Sequence, residues 1–168
     1  MRRRLILMRH AKSSWKSDAA DDHSRPLNKR GRRDAPAVAQ ALKERDWTPE
    51  LVYSSDSKRT SETLQLMCGS FAPGPDIKFV SALYHGGIHE IRDAAANTAD
   101  EIQTVMMLGH NPGWEHAVSW FTGEHHMMGT ANAALLVSEA ESWREVLSGE
   151  RAWQLLDVVR PKDLPSAE

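Results

Sequence analysis

Arg4-Leu5-Ile6-Leu7-Met8-Arg9-His10 sets four consecutive apolar side chains between charges near the start of the chain. A run without polar alternation reads as a strand covered on both faces, the condition of a strand inside a parallel sheet. It stops abruptly, so Arg9 and His10 stand at the carboxyl end of that strand.

Working outward, the chain alternates between two periods. From Asn28, a plausible cap, Ala35, Val38, Ala39 and Leu42 recur at helical spacing until Asp46 and Pro49 break the pattern. Leu51-Val52-Tyr53 predicts a second strand and Ser57 to Met67 a second helix, closed by Gly69 and Pro73-Gly74-Pro75. Ile77 to Leu83 predicts a third strand, and Gly86-Gly87 leads into a helix over Ile88 to Ala96. Thr104 to Leu108 predicts a fourth strand, followed by Gly109-His110-Asn111-Pro112-Gly113 and a helix from Trp114 to Phe121. Ala133 to Val137 and Trp153 to Val158 read as a closing edge pair of strands, with the polar segment 138–151 between them. Strands alternating with helices predict an α/β fold: a three-layer α/β/α sandwich with a mostly parallel central sheet and an antiparallel C-terminal edge.

A chain of 168 residues, 40% hydrophobic and 26% charged, suits one well-buried core, so residues 1–168 are expected to form a single domain. The net charge of -2 gives no sign of a nucleic-acid surface, and any anion must be held by local arginines and histidines. The lone Cys68 rules out an intrachain disulfide and fits a reducing, cytoplasmic setting; it reads as a packed side chain. Arg2-Arg3-Arg4 could pass for the basic start of a signal peptide, but the apolar run after it is too short for export or for a membrane span. Trp114, Trp120, Trp143 and Trp153 read as core or pocket wall.

Three clusters of polar residues follow strands: Arg9-His10, then Ser54-Ser55-Asp56-Ser57-Lys58-Arg59-Thr60, then Gly109-His110-Asn111-Pro112. Ligands of open α/β sheets bind outside the carboxyl ends of the strands, so all three clusters should face one crevice. Taken singly, His10 and Arg59 each have an ordinary structural reading. Their joint order and placement point to a site for an anion.

These segments resemble the histidine phosphatase superfamily, and most closely its SixA-like branch of short phosphohistidine phosphatases. The resemblance runs through Arg9 to Trp15, Arg25-Pro26-Leu27-Asn28-Lys29-Arg30-Gly31, Ser54-Ser55 with Arg59-Thr60, Leu83-Tyr84, Gly109 to Pro112, and Trp153 to Leu156 with Pro161. It implies a phosphatase in which His10 attacks phosphorus to form a phosphohistidine. Arg9 and Arg59 would balance charge on the phosphoryl oxygens, and His110 would donate to the group in transfer. Gly109 and Pro112 would shape a loop open to close approach of the ligand.

Ser13, Ser14 and Lys16, just past the nucleophile, could add substrate contacts. Related phosphoglycerate mutases carry glycine where Ala11 stands and asparagine where Lys16 stands. Many family members place a carboxylic acid after the third strand to protonate the leaving group. Glu90 is the nearest carboxylate after Tyr84 here, although its spacing equally fits a solvated helix face; His85 and His89 could substitute. His85, His89 and Glu90 lack the dense pattern of a metal centre, so neither metal nor cofactor is expected.

The expected partner is a phosphorylated protein carrying phosphohistidine, with no nucleic acid and no membrane. The alternatives are a phosphatase of small phosphoesters and a non-catalytic phosphate-binding signalling module.

Overall fold

The computed structural model describes residues 1–165; the last three residues of the span 1–168 lie outside the described residues. Six strands form one sheet in the order β3-β2-β4-β1-β5-β6. They are β1 (Arg2–Arg9), β2 (Leu51–Ser54), β3 (Asp76–Phe79), β4 (Thr104–Gly109), β5 (Ala133–Glu139) and β6 (Gln154–Val159). β1 and β2 both pair parallel with β4, and β3 pairs parallel with β2. β5 runs antiparallel to β1, and β6 antiparallel to β5. The fold is the expected three-layer α/β sandwich with an antiparallel C-terminal edge.

The apolar run of β1 explains the layers. Successive side chains of a strand point to opposite faces. Ile6 and Met8 enter a core with α1 (Lys29–Glu44) and α2 (Lys58–Cys68), beside the partly buried Cys68. Leu5 and Leu7 enter the opposite core, under α3 (Ile88–Ala95), α4 (Gly113–Thr122) and α5 (Trp143–Ser148). All four are 0% exposed, and each such burial is worth roughly 1.5–3 kcal/mol. Trp114, Trp143 and Trp153 are buried in the second core and Trp120 packs against it, so these tryptophans build core.

Local caps fix where helices start. The Asn28 side chain accepts from the Gly31 amide at 2.9 Å, and Ser57 caps α2. Gly31 then lets α1 lie against the chain that follows His10, because a Cβ there would come within 2.2 Å of the Lys12 carbonyl oxygen.

Three elements differ from expectation. The third strand ends at Phe79, and Ser81–Leu83 form a 3-10 turn instead of more strand. β3 is an exposed edge paired only with β2, and the chain leaves it to bury Leu83 in the second core. The segment 138–151 contains α5, capped by the Ser142 hydroxyl; its buried Trp143, Val146 and Leu147 have helical spacing inside an otherwise polar stretch. Arg3, read with its neighbours as a basic start, is 0% exposed. Its guanidinium donates to the carbonyls of Asp100, Ile102, Ala140 and Glu141, joining two distant loops at the base of β1.

Candidate active site

Parallel pairing puts Arg9 of β1 opposite Gly109 of β4, so His10 and His110 leave adjacent strands side by side. Their ring centroids are 5.1 Å apart. β2, on the other side of β4, delivers Ser55, and the first turn of α2 brings Arg59. The three clusters converge at the carboxyl ends of these strands.

His10 is held on both sides of its backbone: its amide donates to the Gly109 carbonyl at 3.1 Å and its carbonyl accepts from the Ala131 amide at 2.9 Å. Its Nδ1 lies 2.7 Å from the Ala11 carbonyl oxygen. A carbonyl can only accept, so Nδ1 carries the proton and Nε2 keeps a free lone pair. Burial, together with the cations Arg59, Arg9 and Arg25, pushes the His10 pKa down to about 3, against the opposing pull of the Ala11 carbonyl. The ring is therefore neutral near pH 7.

His110 is also mostly buried. Its Nε2 is 2.8 Å from the Ser55 hydroxyl, and its Nδ1 is 3.5 Å from an Arg59 nitrogen. Burial, then His10 and Arg59, lower its pKa to about 3.

Both arginines are anchored through their terminal nitrogens. Arg9 donates from NH1 to the Met128 carbonyl at 3.1 Å, and Arg59 donates to the Asp22 carbonyl at 2.7 Å and carboxylate at 3.0 Å. The Nε atoms of Arg9 and Arg59 are buried without a partner. Two unmatched buried guanidinium donors beside a neutral imidazole favour an anion rich in acceptor oxygens.

Asp22 gathers Arg59, Arg25 and the Tyr84 hydroxyl, which donates to its carboxylate. The Tyr84 hydrogen bond, then Arg59, hold Asp22 well below the usual carboxylate range despite the opposing effect of burial. Tyr84 also meets His110 edge to face at 5.3 Å.

His10, Arg9, Ser13, Arg25, Arg59 and His110 line a cavity of about 170 Å³. A second cavity of about 380 Å³ adjoins it across Arg59, His110 and Asn111, and is walled by Asp22, Tyr84, His85 and His116.

The structure thus brings together His10, Arg9, Arg59, His110 and Ser13. Ser14 and Lys16 stand outside the lining: the Ser14 hydroxyl accepts from the Lys16 amide at 3.2 Å, and Lys16 is exposed. Glu90 is turned to its own helix, where its Oε2 accepts from the Gly87 amide at 3.5 Å at the start of α3. His85 and His89 face different clefts. Among the described residues, no three His, Cys, Asp or Glu side chains are grouped to hold a metal ion. Gly109 makes room for protein rather than ligand, since a Cβ there would meet the Trp114 ring at 2.3 Å.

Sequence reasoning missed Asp22, Ser55, Trp15 and Arg25 as functional candidates. Trp15, Arg25 and Ser55 lay inside segments already singled out. Asp22 had no signal beyond sitting in the same long loop.

The chain is similar to known proteins along most of its length. Residues 5–91 match the model of the histidine phosphatase superfamily, branch 1. An uncharacterised chloroplastic protein of Arabidopsis thaliana is 40% identical over 171 residues, covering 95% of this chain and 78% of its own. The solved structure of the candidate phosphohistidine phosphatase SixA from Agrobacterium tumefaciens has 28% identity and a TM-score of 0.78, covering 95% of this chain and 98% of that one. Its counterpart from Nakamurella multipartitia has 25% identity and a TM-score of 0.83, covering 96% and 97%.

Proposed function

Since this chain belongs to the histidine phosphatase superfamily, in its SixA-like branch, and is a phosphatase, we propose that it removes phosphoryl groups from phosphohistidine on proteins through an intermediate on His10. The observation that carries the reading is the Nδ1 contact of His10 with the Ala11 carbonyl, which fixes the tautomer whose Nε2 can attack.

In the first step Nε2 forms a bond to phosphorus as the bond to the leaving nitrogen breaks, and the departing imidazole takes the electron pair. The guanidiniums of Arg9 and Arg59, each with a buried Nε that has no partner, balance the charge on the phosphoryl oxygens without a metal ion. Arg59 can only donate to Nδ1 of His110, so Nε2 carries the ring proton and donates to the Ser55 hydroxyl, which fixes the His110 ring beside the transferring group. Water then attacks phosphorus, the P–Nε2 bond breaks, and phosphate leaves.

The choice of a P–N substrate rests on Asp22. This carboxyl group lines the larger cavity, is held ionised and is already bonded to Arg59, Arg25 and Tyr84, so it has no proton to give. An alkoxide needs a proton as its bond breaks, whereas an imidazole whose ring is already protonated departs as a neutral base.

The adjoining cavity of about 380 Å³ favours a second reading, a phosphatase of small phosphoesters, because it could seat a compact organic group. Comparing kcat/KM on a phosphohistidine protein, an aryl phosphate and an alkyl phosphate at matched pH decides between them. The first reading expects that order of rates; equal or faster cleavage of the alkyl ester overturns it.

A further inference from the structure

Trp15 is 74% exposed, yet it lines the cavity that contains His10. The other large apolar side chains of the molecule are mostly withdrawn into the two cores, so a tryptophan left in solvent at the mouth of a polar cavity calls for a physical reason. One face of its ring is covered: the guanidinium carbon of Arg25 lies 3.5 Å from the ring centroid. With that face taken, the large exposure leaves the opposite face to solvent.

Arg25 is not a loose surface cation. Its Nε donates to Asp22 at 3.0 Å, and its NH1 donates to the Ser13 hydroxyl at 3.0 Å and the Ser14 carbonyl at 3.4 Å. The indole therefore rests on a support that is itself tied to both sides of the loop following His10. A flat apolar face, fixed in advance and set beside a small polar cavity, offers stacking to a planar group at little cost in side-chain ordering. The cavity of about 170 Å³ is a size for the phosphoryl group, so whatever phosphorus carries must emerge at its rim.

We propose that Trp15, braced by Arg25, is a stacking platform for a planar ring attached to phosphorus, and that it makes the site prefer phosphorylated rings over phosphorylated alkyl chains. The inference rests on the reading that the phosphoryl group sits between His10, Arg9 and Arg59, but not on turnover. Lys12 and Thr130 share the same rim and can contact the backbone or linker beyond the ring. An imidazole ring is the planar group that the proposed reaction would present.

The test is titration calorimetry of the full chain with phenylphosphonate and methylphosphonate, which have no leaving group. Phenylphosphonate should bind about fivefold more tightly, the size of one aromatic stacking contact. Trp15→Ala should bring the ratio of the two affinities close to one, and Trp15→Phe should restore most of the preference, a pattern that a general loosening of the loop would not give. A ratio unchanged by Trp15→Ala, or equal losses for both ligands, overturns the proposal. If neither phosphonate binds the wild-type protein, the phosphoryl pocket fails and this inference fails with it. If the ring preference holds while phosphohistidine is not turned over, the inference is upheld and the substrate assignment is what falls.

Discussion

Asp22 grips Arg59 at two points, through its carbonyl at 2.7 Å and its carboxylate at 3.0 Å, and so turns the guanidinium until only Nε is left unmatched. On the proposed mechanism Asp22 is thereby a positioning residue for Arg59. Asp22→Ala should lower kcat/KM by about tenfold or more. Asp22→Asn, which keeps an acceptor oxygen, should recover much of the loss. Vanadate affinity measured on the same variants checks the cause, since a misplaced Arg59 weakens vanadate in parallel with turnover.

The free Nε2 of His10 predicts a covalent intermediate. Labelled phosphate should be trapped on the wild-type chain as an acid-labile, alkali-stable adduct and should be absent from His10→Ala. Full activity or undiminished label in folded His10→Ala would remove the nucleophile from His10.

Arg9, Arg59 and His110 should each matter for rate far more than for stability. Single alanine replacements are expected to reduce kcat by about a hundredfold or more, with urea midpoints moved much less. Ser55→Ala should give a smaller loss, because it removes only the partner that orients His110. Near-normal turnover in folded Arg59→Ala would take Arg59 out of the chemistry.

Two neutral buried histidines also make stability depend on pH. In the unfolded chain both titrate near 6.5, while in the folded chain burial holds them at about 3. As pH falls below about 6.5 the unfolded chain takes up protons that the folded chain refuses, so stability declines progressively toward pH 3. Urea unfolding between pH 7 and pH 4 should show that fall, and the His10→Asn, His110→Asn double variant should flatten it. Turnover, for its part, should survive to pH 5 without a loss attributable to His10 protonation.

Much of this molecule is legible from β1 alone. Leu5 to Met8 state that both faces are covered, and Arg9-His10 at the end state where the ligand must lie. The order of the three strand-end clusters carries the rest of the central site. Asp22 carried no signal, and the placing of Trp15 and Arg25, though both lay in segments singled out, could not be read, because all three sit in a long loop whose conformation is set by tertiary contacts and by no period. Glu90 shows the converse limit: proximity in sequence to Tyr84 made it a candidate acid, whereas the helix beginning at Ile88 turns its carboxylate to Gly87. α5 escaped notice because a six-residue helix shows barely one repeat of its apolar spacing.

The position of β1 within the sheet also bears on how the chain is made. Its two neighbours are β4 and β5, both made after it, so β1 cannot be fully paired on both edges until residue Glu139 has emerged. Until then Leu5 to Met8 form an apolar, β-branched-poor but sticky segment with open hydrogen-bonding edges. The candidate site is not assembled until β4 has joined β1, since His10 and His110 follow the paired residues Arg9 and Gly109. A nascent chain stalled before β4 would hold His10 without His110, and folding should be slower than for a protein of equal size built from local contacts.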